Sequence, residues 1–147
     1  MEPTSEANRT DCSRGNGVSQ LAARILCAED DPVLRGLVAA ILCRAGYGVI
    51  SVENGMRAWA ELQLQDFDLL VTDNEMPELS GLELAAMARR EGKSLPIIMA
   101  SSSAARICAE RSDLSMVEPL EKPFAPKALL LAVAKALGKV PSPEKTS

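Results

Sequence analysis

Between residues 23 and 138, short apolar runs alternate with longer stretches of helical spacing, and a chain patterned this way has few ways to bury itself. A fully apolar strand needs cover on both faces, so repeated strand–helix units build a mainly parallel sheet with helices on each side. The strands are expected at Arg24–Ala28, Gly48–Val52, Leu69–Thr72, Ile97–Ser101 and Met116–Leu120. The first helix is the clearest: Leu34, Leu37, Val38, Ile41 and Leu42 follow the i, i+3, i+4, i+7, i+8 pattern, with Asp31 placed to cap it and Pro32 at its first position. Later helices are expected at about Met56–Gln65, Leu82–Arg90, Ala104–Arg111 and Pro126–Leu137, the last stopping at Gly138. Five such units in about 115 residues suit an α/β fold, a flavodoxin-like doubly wound five-stranded parallel sheet with strand order 2-1-3-4-5. In that order the fifth strand is an edge, where Pro119, lacking an N–H, is tolerated.

At 147 residues the chain is one domain's worth. Residues 1–22 mix Glu, Ser, Asn, Arg, Thr and Gly without apolar periodicity and read as a flexible tail; residues 139–147, with two prolines, read the same way. The folded domain is expected over residues 23–138. A formal charge of −4 argues against a nucleic-acid-binding module, which needs a basic stripe. No apolar run approaches the ~20 residues that span a bilayer, and residues 1–20 lack a signal-peptide block, so a cytoplasmic protein with no membrane insertion is expected. Four scattered cysteines and no histidine make a poor zinc set. Cys27 and Cys43 read as small core residues in a reducing compartment.

Ligands of a doubly wound sheet bind beyond the carboxyl ends of its strands, where strand order reverses. That rule gathers Glu29 and Asp30 after the first strand, Asp73 after the third, Ser101 and Ser102 at the fourth and Lys122 after the fifth. Asp31, ahead of Pro32, is better placed to cap a helix than to join them, and Met76, Met87 and Met99 read as core fillers. Three carboxylates in one crevice favour proton uptake or a hard divalent cation, and oxygen donors without imidazole or thiolate point to Mg²⁺, or Mn²⁺. With such a cation bound, Asp73 could attack a phosphoryl group in line while the cation and the Lys122 ammonium neutralise its oxygens and the Ser101 hydroxyl donates to the product.

The set Glu29-Asp30, Asp73-x-x-Met76-Pro77-x-x-x-Gly81, Leu95-Pro96-Ile97-Ile98-Met99-Ala100-Ser101 and Lys122-Pro123-Phe124 resembles the receiver domain of two-component response regulators, of the stand-alone type, over residues 24 to about 138. The resemblance implies phosphoryl transfer to Asp73 from a sensor histidine kinase or a histidine phosphotransfer protein, with Mg²⁺ held by Glu29, Asp30, Asp73 and the backbone carbonyl of Glu75. It assigns Ser101 to the switch hydroxyl and Lys122 to the phosphate contact, and implies a cis peptide between Lys122 and Pro123. The implied output is a protein contact through the fourth helix, fifth strand and fifth helix with a downstream target. Such a domain is a signalling switch that assists its own phosphorylation and dephosphorylation, not an enzyme acting on a separate substrate.

Glu75 and Ser103 stand in the positions that commonly tune phosphoryl lifetime in the family, and one position departs from its habit. An aromatic residue often stands three before the lysine, whereas this chain has Pro119, so signal has to travel by backbone shifts after Ser101. Two other roles stay open at this level: a phosphorelay carrier, and a receiver-like interaction module independent of phosphorylation. An aspartyl-phosphate hydrolase of the haloacid dehalogenase type wants Asp-x-Asp where this chain has Asp73-Asn74-Glu75, and a flavin phosphate would be repelled by Glu29-Asp30.

Overall fold

A computed structural model describes residues 10–11 and 22–138. Its parallel strands are β1 (Arg24–Ala28), β2 (Gly48–Val52), β3 (Leu69–Asp73), β4 (Ile97–Ser101) and β5 (Val117–Glu121). The helices that follow them are α1 (Pro32–Arg44), α2 (Gly55–Leu64), α3 (Gly81–Arg90), α4 (Ala104–Glu110) and α5 (Pro126–Ala136). The strands lie in the order β2-β1-β3-β4-β5, the doubly wound order expected from the alternation. A further two-residue strand, Thr10–Asp11, pairs antiparallel with β2. It falls inside the segment read as an N-terminal tail; the remainder of residues 1–21, and residues 139–147, lie outside the described residues. Among the described residues no helix is long and apolar enough to cross a membrane.

The strand period of two divides the core into two layers. Ile25 and Cys27 of β1, Val49 of β2, Leu69 and Val71 of β3 and Ile98 of β4 pack with Val38 and Leu42 of α1 and Leu129 and Val133 of α5. Leu26, Ala28, Ile50, Val52, Leu70 and Ile97 face the other way, against Ala58 and Leu62 of α2 and Leu84 and Ala85 of α3. Each fully buried Leu or Ile side chain here contributes about 1.5–3 kcal/mol relative to exposure.

The structure also corrects details. Asp31 caps α1, accepting from Val33 N at 3.0 Å. Of the five residues read as that helix's buried stripe, Leu37 is exposed and Ala39 is buried instead. The sheet-facing stripe is centred on Val38 and Leu42, which turns Leu37 to the rim beside Phe124 and Pro126. Cys27 is a buried free thiol, as expected, and burial followed by the charge of Glu29 pushes its pKa up to about 12, so it is inert. Cys43 is not the free core thiol expected: the last turn of α1 leaves it half-buried at the edge of the core, and it is disulfide-bonded.

Candidate phosphoacceptor site

Parallel strands end at one edge of the sheet, and the chain places its polar residues at those ends. Just past β1, Glu29 is buried and Asp30 exposed. Their turn is held from α1: Arg35 donates to the Glu29 carbonyl at 2.9 Å, and Asp31 N donates to Glu29 Oε2 at 3.1 Å.

β3 ends on Asp73, whose side chain is nearly buried. The Thr72 hydroxyl donates to the Asp73 carbonyl at 2.9 Å and Glu75 N donates to Asp73 Oδ1 at 3.3 Å. The loop beyond is fastened by Asn74, whose Oδ1 accepts from Leu82 N at 2.9 Å and whose carbonyl accepts from Gly81 N at 3.1 Å. Gly81 then opens α3 so close to the strand end that any Cβ there would run into the Asp73 carbonyl and press on the Asn74 backbone. Ser80 and Glu83 close a reciprocal capping box at this helix start.

β4 and β5 complete the edge. Ser101, the last residue of β4, is fully buried, and its carbonyl accepts from Lys122 N at 3.0 Å. The Lys122–Pro123 peptide is cis. Lys122 Nζ reaches back across the sheet to Glu29 Oε1 at 3.1 Å and Asp73 Oδ1 at 3.2 Å.

Carboxylate oxygens of Glu29, Asp30 and Asp73 all lie within 4.8 Å of one another. Burial, then the negative charge of Glu29, pushes the Asp73 pKa up to about 6, although Lys122 and the Glu75 N–H pull it down. At neutral pH Asp73 is therefore mostly ionised, yet more basic than an ordinary aspartate. Burial also disfavours the Lys122 ammonium, but its hydrogen bond to Glu29 and the two carboxylate charges outweigh that and hold its pKa above the usual lysine value. One ammonium does not balance three carboxylates. An all-oxygen donor set with excess negative charge fits a hard divalent cation such as Mg²⁺.

Glu29, Asp30, Asp73, Ser101 and Lys122 thus lie at the same sheet edge, with Glu75 exposed two residues beyond Asp73 and Ser102 exposed just past β4. Sequence reasoning missed the supporting contacts. The Glu75 carboxylate, marked by the resemblance as a lifetime-tuning position but with no partner assigned, accepts from Ser101 Oγ at 3.1 and 3.3 Å. Glu121 Oε2 accepts from Ala105 N at 2.7 Å and so caps α4 from the neighbouring strand. The signal for Gly81 was present in its fixed distance from Asp73; for Arg35 and Glu121 there was none, and for Glu75 the resemblance marked the position but not the partner, because each partner lies on another part of the chain.

Comparison with known proteins agrees with this geometry. Residues 25–134 match the family described as the response regulator receiver domain. The response regulator receiver protein CpdR of Brucella abortus is 38% identical over 115 residues, covering 78% of this chain and 96% of that protein. Other relatives are longer, and the chain covers only 27% and 24% of two of them. Among solved structures, the response regulator protein TrrA from Thermotoga maritima in complex with Mg²⁺–BeF superposes with a TM-score of 0.71 at 32% identity, over 78% of this chain and 99% of that one. The receiver domain of a sensor histidine kinase from Pseudomonas aeruginosa PAO1, with a magnesium ion coordinated in its active-site cleft, gives a TM-score of 0.71 at 28% identity over 80% and 98%. With its doubly wound sheet, its acidic edge and a family match over most of its length, the chain belongs to the response regulator receiver domains, signalling switches of two-component systems related to chemotaxis CheY proteins.

Proposed function

We propose that Asp73 accepts a phosphoryl group from a phosphohistidine of a sensor histidine kinase or histidine phosphotransfer protein. The observation that carries this reading is the ionised, nearly buried Asp73 carboxylate held 3.2 Å from Lys122 Nζ beside a second buried carboxylate. In the reaction an Asp73 oxygen forms the new P–O bond, the P–N bond breaks, and the imidazole leaves with the electron pair. In this reading the Lys122 ammonium meets charge on the transferring oxygens, and the Ser101 hydroxyl turns to donate to the acyl phosphate once formed. Glu29, Asp30 and Asp73, with the Glu75 backbone carbonyl, would hold Mg²⁺ or Mn²⁺, which when bound supplies positive charge against the phosphoryl oxygens.

Phosphorylation adds nearly two negative charges at the end of β3. The Ser101 loop leads directly into α4, and Glu121 ties α4 to β5, so the face formed by α4, β5 and α5 is the output surface in this reading and a downstream protein its partner. The cytoplasm, where kinase catalytic domains meet their receivers, belongs to the same proposal. Transfer of labelled phosphate from a phosphorylated kinase domain to the wild-type chain and not to Asp73→Asn, with loss of the label in hydroxylamine, is the expected result; label retained by Asp73→Asn would rule the acceptor out.

One residue favours a second reading, constitutive binding without phosphate: exposed Pro119 stands in β5 where an aromatic switch residue is common. In that case a captured partner would bind wild type and Asp73→Asn equally, with or without a phosphodonor.

A further inference from the structure

Ser101 has a single hydroxyl proton, and in this structure it is already engaged. Its Oγ donates to the Glu75 carboxylate at 3.1 and 3.3 Å and accepts from Ser103 N at 3.1 Å. A phosphoryl oxygen on Asp73 needs that same proton. The two candidate acceptors are separate anionic groups that repel each other, so the hydroxyl turns from one to the other instead of bridging them. Ser101 is fully buried, whereas Glu75 is exposed and can release its carboxylate into water at little cost.

We propose that Glu75 is a positioning residue that acts through Ser101 to hold the phosphate-free form. Its carboxylate keeps the switch hydroxyl engaged away from Asp73, and a phosphoryl group on Asp73 displaces that carboxylate into solvent. The inference rests on the phosphoacceptor reading of Asp73. It gives the side chain at this loop position a definite sign: removing the competing acceptor frees the Ser101 hydroxyl, so phosphoryl-like ligands bind more tightly. A hydroxyl bond to a charged acceptor is worth a factor of about ten to a hundred, and an exposed residue such as Glu75 stands at the low end. The amide oxygen of a Glu75→Gln variant still accepts, but as a neutral and weaker partner, and so should lie between wild type and Glu75→Ala.

The test is a double-mutant cycle read by calorimetric titration of beryllofluoride at saturating Mg²⁺, on wild type, Glu75→Ala, Ser101→Ala and the double variant. Glu75→Ala is expected to bind about tenfold more tightly than wild type, while the same substitution in the Ser101→Ala background changes affinity by less than about twofold. Without metal or beryllofluoride, the Ser103 amide resonance is expected to shift in Glu75→Ala, because that N–H donates to the released hydroxyl. An equal gain in the Ser101→Ala background, or Glu75→Gln matching Glu75→Ala, would reduce Glu75 to a repelling charge and overturn the proposal; so would weaker binding by Glu75→Ala. Failure of wild type to bind beryllofluoride at all would overturn the phosphoacceptor reading along with it, whereas a wild type that binds with a flat cycle removes the Glu75 role alone.

Discussion

At Asp73, a carboxylate is buried beside another carboxylate and only partly compensated by Lys122. Its folded pKa of about 6 lies above the ordinary value of 3.8, so between those values the folded chain keeps a proton that the unfolded chain has lost. The contribution of Asp73 to stability therefore falls as pH rises from about 4 to 6 and stays flat above. Removing the charge should remove the loss: Asp73→Asn is expected to stabilise the metal-free protein by about 2–3 kcal/mol at pH 7, with the gain gone near pH 3. Urea unfolding in the presence of a chelator measures this, and an equal gain at both pH values would trace the effect to packing instead of charge. Lys122→Met leaves Glu29 and Asp73 facing each other, so the Asp73 carboxyl resonance should then titrate above about 6. Glu29, Asp30, Asp73 and Lys122 were legible in the sequence because each ends a strand or stands within two residues of its end, and strand ends converge by topology. The Glu75 position was marked by the resemblance but its bond to Ser101 was not, since the two residues are 26 positions apart and meet only in the folded chain.

Among the elements, α4 shows how neighbours replace local signals. Its N-cap residue, Ser103, makes no side-chain cap bond, and Glu121 from β5 supplies the acceptor for Ala105 N instead. Glu121→Ala should cost about 1 kcal/mol, with faster amide exchange confined to the first turn of α4; exchange unchanged in that turn would refute the cap. The start of α3 is constrained differently. Gly81→Ala drives a methyl into the Asp73 carbonyl and should cost about 1–3 kcal/mol and disturb the Asp73 amide resonance, whereas Gly36→Ala, in open space on α1, should not destabilise. Most strand positions followed from apolar runs, but β5 begins one residue later than the pattern suggests. Met116 sits at a φ of 57°, a left-handed conformation incompatible with a strand, and Arg89 fastens the turn by donating to the Ser115 carbonyl at 2.7 and 3.0 Å. Nothing in the apolar pattern encodes that turn, because the arginine holding it comes from α3.

For the whole molecule, the strand order does the work of assembly: β1 and β3 are adjacent, so Glu29 and Asp73 meet although 44 positions apart. A cation held there binds only the folded chain. Mg²⁺ at about a hundred times its dissociation constant should therefore raise unfolding free energy by about 3 kcal/mol, and Asp30→Asn, an exposed and structurally tolerant site, should abolish most of that gain. The most direct measurement is intact mass after incubation with acetyl phosphate and Mg²⁺ under acid quench, with Asp73→Asn alongside. A single phosphoryl added to the wild type, absent from the variant and absent when Mg²⁺ is chelated, is the expected result. Phosphate gained equally by Asp73→Asn, or no gain by either protein together with no binding of beryllofluoride, would contradict the assignment of Asp73 as the acceptor.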